Sequence, residues 1–198
     1  EMFGNSAVSF QLAVDHSVYR SDQEQQRNSH TIAFYIRRST PRRLYELGLL
    51  ALRALFDLGD NFEIITFGEK DLPDLGIPVK VRHAGILDAK ALAHLYRQCT
   101  IGLVLSGTNY SLVPNEMMAC GLPVVDIDSE HTRISYQPNT AVLAEATPVG
   151  LASALSRLLN DALFRQITSK AGLSATELLT WDRSNKLIET FIQESLPS

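Results

Sequence analysis

The chain has 198 residues, of which 45% are hydrophobic and 20% are charged, and its formal net charge is −4. This composition suits one globular domain and is too apolar for a disordered chain. The acidic balance argues against sequence-independent binding of nucleic acid, which needs an excess of basic charge. No stretch approaches the ~20 apolar residues that span a bilayer. The sequence therefore predicts a soluble globular protein.

The two cysteines, Cys99 and Cys120, are too few for a disulfide scaffold in a chain of this length, which favours a reducing, cytoplasmic setting. No charged-then-apolar signal for export follows Glu1, and a chain that begins in this way suggests an excised piece. Residues 21–29 are entirely polar and read as a surface connection. We therefore expect residues 1–30 to be an interdomain connection or the remnant of an N-terminal domain, and residues 31–198 to form the main domain.

From Thr31 onward, short β-branched or apolar runs alternate with longer helical ones, a pattern typical of a parallel sheet with crossover helices. After the last predicted strand the chain reads as helical, with starts at Pro148 and Asp161 and with Trp181 near the entrance to the final helix. The sequence thus predicts an α/β fold: a Rossmann-like, doubly wound parallel sheet with a helical C-terminal end. The predicted strands are 31–36, 62–67, 79–82, 101–105, 124–127 and 141–144, and the predicted helices between them are 42–58, 88–98 and 111–120.

Four arginines, Arg37, Arg38, Arg42 and Arg43, fall within seven positions between the first predicted strand and the helix after it. Open α/β sheets bind ligands at the carboxyl ends of their strands, and guanidinium groups form bidentate, charge-assisted bonds to phosphate. Each such bond contributes about 1.5 to 3 kcal/mol when it is partly desolvated. The cluster therefore indicates a phosphate site, with a solvated basic helix terminus as the alternative.

Residues 103–125 read as a strand, a small polar loop, a helix, a tight turn and a strand. Small residues in the loop allow a close approach to a ligand, and the helix N-terminus after it presents free amide protons to a phosphate. Glu116 in that helix can accept the two hydroxyl hydrogen bonds of a ribose; a Glu that favours a helix N-terminus is the alternative. The small polar residues of this loop are Gly107, Thr108, Asn109 and Ser111.

Together these segments resemble the C-terminal, nucleotide-sugar-binding domain of GT-B fold glycosyltransferases of the group 1 type. Residues 116–125, EMMACGLPVV, match the second half of that family's E-x7-E motif with its helix and turn. Arg37 matches the arginine at the end of a strand, and Arg42 or Arg43 matches the basic residue at the next helix start. Residues 83–86 resemble the base-binding loop, and Trp181 resembles an aromatic residue found before the final helix. The resemblance covers roughly residues 31–194.

The resemblance implies a domain that binds a nucleotide diphosphate sugar for transfer to a polysaccharide or other glycan acceptor, with no cofactor and no metal. The acceptor and the catalytic residues are then expected mainly on an N-terminal domain outside this chain. The setting is expected to be cytoplasmic, with peripheral association of the full-length enzyme at the inner face of the membrane. The implied substrate-binding residues are Arg37, Arg42 and Arg43 for the phosphates, Leu112 and Val113 for their backbone amides, Glu116 for the ribose, Gly85 and Ile86 for the base, and Thr108 and Ser111 in the polar loop.

One position departs from the family pattern. Thr108 stands eight residues before Glu116, where the family's first Glu contacts hydroxyls of the donor sugar. Thr108 offers one hydroxyl, or the donor sugar lacks the hydroxyls that the Glu reads. The sequences of residues 34–52 and 111–121 look most like those of bacterial rhamnosyltransferase-type enzymes of polysaccharide assembly, in which a deoxysugar donor is usual.

The other residue patterns in the sequence give only weak indications of a functional site. His83, His94 and His131 lack the spacing of a metal site, and neither a dinucleotide fingerprint nor a P-loop is present. The adjacent Asp15 and His16 favour a turn or a strand edge over an acid–base pair. Two alternative functions remain: a sugar-nucleotide epimerase-like half, and a non-catalytic Rossmann-like domain whose arginines meet an acidic protein or a lipid headgroup.

Overall fold

The computed structural model describes residues 10, 12–22, 27–71, 74–108 and 111–195, and of Ser195 it describes only the backbone. The strands are β1 (Thr31–Tyr35), β2 (Glu63–Phe67), β3 (Val81–His83), β4 (Ile101–Leu103), β5 (Val124–Ile127) and β6 (Val142–Ala144). The α-helices are α1 (Tyr45–Asp57), α2 (Ala89–Gln98), α3 (Val113–Ala119), α4 (Glu130–Ser135), α5 (Pro148–Asn160), α6 (Ala162–Glu177) and α7 (Trp181–Ser195). The strands form one parallel sheet in the order β3-β2-β1-β4-β5-β6, which confirms the predicted Rossmann-like fold.

Two apolar layers cover the two faces of the sheet. Ile32 and Phe34 of β1 belong to the layer that contains α1 and α5, whereas Ala33 belongs to the layer that contains α2 and α3. This alternation follows from the two-residue period of a strand, and burial on both faces explains why the strands are almost wholly apolar. The sheet therefore lies at the centre of the domain, and the polar groups of interest lie at its edges and at the ends of its strands.

The strand order reverses between β1 and β4, because the chain runs outward from β1 to β3 and then returns to the other side of β1. Adjacent crossovers leave from opposite sides of the sheet at such a point, and a crevice opens outside the carboxyl ends of the two strands. The arginine-rich loop follows β1 and the polar loop follows β4. The topology thus brings together the two segments that the sequence singled out.

The largest difference from prediction is the start of α1. Residues Pro41–Arg43 form a separate 3-10 turn, and Leu44 adopts a left-handed conformation with φ of 48° before α1 begins at Tyr45. The side chain of Leu44 packs against the core, so the chain turns there instead of continuing the helix. Arg42 and Arg43 consequently precede the helix, whereas the sequence had predicted that they open it.

A second difference is α4, which the sequence analysis missed. Its N-terminus is a capping box, in which the side chains of Ser129 and Thr132 each accept a hydrogen bond from the backbone N–H of the other residue. The usual partner at the third position is Glu or Gln, so the signal was inconspicuous. The observed boundaries of the strands, and of the other helices predicted between them, differ from the predicted boundaries by at most two residues.

The segment before β1 is anchored to the domain. Val14 donates its backbone N–H to the carbonyl of Leu179 at 2.9 Å. Arg27 donates to the carbonyl oxygens of Tyr96 at 2.9 Å, Cys99 at 2.8 Å and Cys120 at 2.7 Å, which lie at the ends of α2 and α3 where carbonyls lack helical partners. Arg27 is therefore half-buried and bound to the domain, whereas Ser21, Asp22, Asn28 and Ser29 are exposed, and residues 23–26 lie outside the described residues. The boundary at residue 30 stays a prediction.

Cys99 and Cys120 are buried and unpaired, and burial raises the pKa of these thiols to about 12 and about 11. Within the described ranges, no helix is both long and apolar enough to cross a membrane. The same residues contain no group of three or more His, Cys, Asp or Glu placed to hold a metal ion.

Candidate functional site

Two loops meet at the switch point of the sheet. Gly107, in the loop after β4, donates its backbone N–H to the carbonyl of Arg42, in the loop after β1, at 2.8 Å. A Cβ at position 107 would lie 3.3 Å from that same carbonyl oxygen, so the close approach of the loops favours glycine there. This contact places the arginine-rich loop directly beside the polar loop.

Arg43 lies at the centre of the arginine cluster. Its side chain is buried, with 8% of the residue exposed, and its guanidinium carbon lies 5.5 Å from the centre of the Tyr35 ring. Among the described residues, neither Nε nor Nη1 of Arg43 has a hydrogen-bond partner. Desolvation lowers the pKa of Arg43, and the nearby charges of Arg42 and Arg37 lower it further. Buried charged donors without acceptors are costly, so this arrangement favours an anionic ligand that brings oxygen atoms.

The fourth arginine of the sequence cluster points elsewhere. Arg38 forms an ion pair with Glu69, at 2.8 Å between Nε and Oε2, beside the end of β2. Arg37 and Arg42 are exposed and lie close enough to Arg43 to perturb it. The structure therefore gathers three of the four arginines and assigns Arg38 to a surface pair.

A buried carboxylate that the sequence analysis did not identify holds the polar loop in place. Asp126 is 1% exposed. Its Oδ1 accepts hydrogen bonds from the backbone N–H groups of Ser106 at 3.0 Å and Ile127 at 2.8 Å, and its Oδ2 accepts one from the Tyr136 hydroxyl at 2.9 Å. Burial raises the pKa of Asp126 to about 7, against these hydrogen bonds and the charge of Arg43. The signal that could have revealed it is an acidic residue inside the apolar strand VVDI.

The polar loop itself contributes a short helix entrance. Leu112 precedes α3 and its carbonyl accepts from the backbone N–H of Glu116 at 3.0 Å, while Val113 is the first helical residue. Ser111 borders a small polar cavity shared with Asp126 and His131. Thr108 is exposed, and Asn109 lies outside the described residues. The expected cradle of backbone amides is reduced, because Pro114 in the first turn of α3 lacks an N–H.

Glu116 lies in the first turn of α3 and is half-buried. Burial raises the pKa of its carboxyl group, and the hydroxyl of Tyr19 opposes that rise. Tyr19 belongs to the segment before β1, which the sequence analysis treated as a connection. Nothing in the local sequence of Tyr19 indicates this influence on Glu116, because the two residues are far apart along the chain.

Gly85 and Ile86 lie at the same edge of the sheet, after β3 and two strands from β1. Gly85 has φ of 69° and its carbonyl accepts from the backbone N–H of Gly68 at 2.9 Å. His83 steadies this turn: its Nδ1 accepts from Thr66 Oγ1 at 2.9 Å, and its Nε2 donates to the carbonyl of Lys70 at 3.1 Å. Because Ile86 is 74% exposed, its side chain is available to a ligand.

Comparison with known proteins shows which family the chain resembles. The model of the WsaF C-terminal domain family matches residues 30–156. The O-antigen biosynthesis protein RfbC of Myxococcus xanthus is 32% identical over 180 residues, which are 89% of this chain. The chain spans only 14% of the length of RfbC.

Solved structures share the fold. Sucrose-phosphate synthase of Thermosynechococcus elongatus is 20% identical, with a TM-score of 0.74 over 92% of this chain and 51% of its own. HepE of Anabaena, in complex with UDP and glucose, is 15% identical, with a TM-score of 0.73 over 93% of this chain and 55% of its own. The C-terminal domain of the group 1 glycosyl transferase LpcC of Francisella tularensis is 17% identical, with a TM-score of 0.69 over 85% of this chain and all of its own.

The family match covers more than half of the chain, and the similar structures include an isolated C-terminal domain of a group 1 glycosyltransferase. This family match agrees with the strand order of the sheet, with the position of the two loops at the switch point and with the range of matched residues. The chain belongs to the WsaF C-terminal domain family and has the fold of a GT-B C-terminal glycosyltransferase domain.

Proposed function

We propose that this chain binds the nucleoside diphosphate portion of an activated sugar and forms the donor half of a glycosyltransferase. The observation that carries this proposal is Arg43, whose buried Nε and Nη1 have no hydrogen-bond partner among the described residues. Phosphate oxygens would accept from both nitrogens and would neutralise the charge. The structure of HepE with UDP and glucose, a protein of the same fold, supports this choice of ligand.

The remaining site residues fit the other parts of such a ligand. Arg37 and Arg42 would contact the outer phosphate oxygens, since both are exposed and electrostatically coupled to Arg43. The carboxylate of Glu116 would accept from the ribose hydroxyls, and the turn at Gly85 and Ile86 would face the base. In the intact enzyme the arginines would stabilise the negative charge that grows on the diphosphate as the bond to the sugar breaks. The amides of Leu112 and Val113 would add to this field.

The sugar, the acceptor and the cellular setting are further parts of the proposal. Similarity to an O-antigen biosynthesis protein supports a polysaccharide product, and Thr108 in place of a hydroxyl-reading Glu supports a deoxysugar donor of the rhamnose type. The acceptor and the catalytic residues would lie in a part of the longer protein outside this chain. That enzyme would act in the cytoplasm at the inner face of the membrane. No step of this proposal requires a cofactor.

Titration calorimetry with UDP, dTDP and GDP tests the proposal. At least one of these should bind with a dissociation constant below the millimolar range, and the matching monophosphate should bind more weakly because it offers fewer oxygens to the arginines. If none binds at millimolar concentration, the proposal is wrong. Retained binding after Arg37 and Arg43 are both replaced would favour the alternative of a non-catalytic domain whose arginines meet another partner.

Replacing Glu116 with alanine is expected to weaken binding of the nucleoside diphosphate about 10-fold or more, because hydrogen bonds to a charged group contribute about 1.5–3 kcal/mol. Affinity for inorganic pyrophosphate, which has no ribose, should not change. Glu46 in the first turn of α1 is exposed, so Glu46→Ala is the matched control and should leave both affinities unchanged. Equal losses for the nucleotide and pyrophosphate would contradict the assignment of Glu116 to the ribose.

A further inference from the structure

The backbone of Ser106, where the polar loop begins, is held by two side chains from other elements. Its N–H donates to Oδ1 of Asp126 at 3.0 Å. Its carbonyl oxygen lies 2.6 Å from Nε2 of His131. Because a carbonyl oxygen can only accept, Nε2 of His131 carries a proton and donates it to this bond. Asp126 and His131 thus satisfy both backbone polar groups of a residue that is 3% exposed.

These two side chains are themselves oriented by hydrogen bonds. Nδ1 of His131 lies 2.9 Å from Oγ of Ser129, the residue that caps α4. With the proton on Nε2, Nδ1 of the neutral ring accepts from this hydroxyl. Tyr136, which directly follows α4, donates its hydroxyl to Oδ2 of Asp126 at 2.9 Å. The support of Ser106 therefore has a defined geometry, which β5 and α4 supply.

The contact between the two loops lies one residue beyond Ser106. Gly107 donates its backbone N–H to the carbonyl of Arg42 at 2.8 Å. A Cβ at position 107 would also lie 3.4 Å from the side chain of Leu44, so the arginine-rich loop packs closely against this glycine. Arg43 follows Arg42 in the same 3-10 turn. The position of Ser106 therefore determines how the polar loop meets the loop that contains Arg43.

The parts of the candidate site differ in how directly they depend on this support. The groups assigned to the phosphates lie on the two loops that meet at Gly107. The groups assigned to the ribose and the base lie elsewhere, with Glu116 in α3 and Gly85 after β3. A loop that is fixed before a ligand arrives spares the free energy of ordering it on binding. Loss of the support should therefore affect the phosphates more than the nucleoside.

We propose that His131 is a positioning residue for the diphosphate, because together with Asp126 it holds Ser106 so that the polar loop and the arginine-rich loop are spaced for two linked phosphates. This inference rests on the proposed function. It gives a role to a histidine for which the sequence indicated no metal site. A nucleotide with a single phosphate depends less on the spacing of the loops, so the preference for the diphosphate reports on this role.

The test measures this preference in His131 variants, using whichever of UDP, dTDP and GDP binds most tightly and the matching monophosphate. His131→Ala should bind the diphosphate about 2- to 10-fold more weakly, the range of one net hydrogen bond, and the monophosphate less than about twofold more weakly. His131→Gln can still donate from its amide nitrogen to Ser106 and should restore the wild-type preference. Ile134→Ala changes an exposed side chain of the same helix and is the matched control, which should keep that preference.

Amide hydrogen exchange in the nucleotide-free wild-type chain tests the same arrangement without a substitution. The N–H groups of Ser106 and Gly107 should be protected, because both donate to fixed acceptors before any ligand binds. Exchange of these amides at the rate of an open loop would overturn the proposal. This result would count against it even if His131→Ala failed to fold.

The possible failures are distinguishable. If the wild-type chain binds none of the three diphosphates, both the proposed function and this inference fall. If the wild type binds and Glu116→Ala weakens the binding, but His131→Ala lowers the affinities for diphosphate and monophosphate equally or lowers neither, only the inference is wrong. Thermal unfolding monitors the fold of each variant. A smaller preference in a folded His131→Ala chain, restored in His131→Gln, supports the positioning role.

Discussion

The Arg43→Met variant is expected to bind the nucleoside diphosphate about 10- to 100-fold more weakly than the wild-type chain, while its free energy of unfolding stays the same or rises. The loss follows from charge-assisted hydrogen bonds worth about 1.5–3 kcal/mol. The gain in stability follows because a buried charge without full hydrogen bonding is replaced by an apolar side chain of similar length. A variant that binds more weakly but unfolds no more easily would identify Arg43 as a residue retained for binding.

Calorimetric titration gives the affinity of Arg43→Met, and urea denaturation gives its stability. Arg38→Met is the matched control, because Arg38 belongs to the same loop but pairs with Glu69 at the surface. The control should change the affinity less than twofold. A drop in stability of several kcal/mol together with unchanged affinity would show that Arg43 is a structural residue.

The second large effect concerns pH. The pKa of Asp126 is raised to about 7 by burial, from an ordinary value of 3.8. Between these two values the carboxyl group is ionised in the unfolded chain and protonated in the folded one, so unfolding releases a proton. Stability then falls as pH rises from about 4 to about 7, by about 1.4 kcal/mol per pH unit at most. Asp126→Asn should abolish this part of the pH dependence.

Urea denaturation at pH 5 and pH 8 measures this effect. The wild-type chain should lose a few kcal/mol more than Asp126→Asn between the two pH values. The control is Asp128, whose pKa is lowered by its ion pair with Arg133, so its contribution is lost only when pH falls through the acidic range. Asp128→Asn should therefore resemble the wild type from pH 5 to 8. Parallel pH profiles for the wild type and Asp126→Asn would contradict the prediction.

Much of the fold follows from local pattern. The strand β5 begins and ends as the apolar run 124–127 predicted, and α5 begins at Pro148, whose fixed φ suits a first helical position. The parallel sheet follows from the alternation of strands and helices, since parallel neighbours need a crossover. The start of α1 was misplaced because the left-handed turn at Leu44 depends on tertiary packing, which overrides helix propensity.

The candidate site was predicted in part. The sequence singled out both loops because arginines and small polar residues followed strand ends, and the sheet topology brings those loops together. The buried state of Arg43 and the separate pairing of Arg38 with Glu69 were not predictable in this way. Each depends on residues that are distant in the sequence, and a single sequence carries no local trace of such contacts.

A crystal structure of the chain with the nucleoside diphosphate that binds most tightly is the most direct test of the site. We expect phosphate oxygens about 3 Å from Nε and Nη1 of Arg43, and ribose hydroxyls on the carboxylate of Glu116. The bound nucleotide would lie across the carboxyl ends of β1 and β4. A nucleotide bound elsewhere, with Nε and Nη1 of Arg43 still lacking an acceptor, would contradict the assignment of this site.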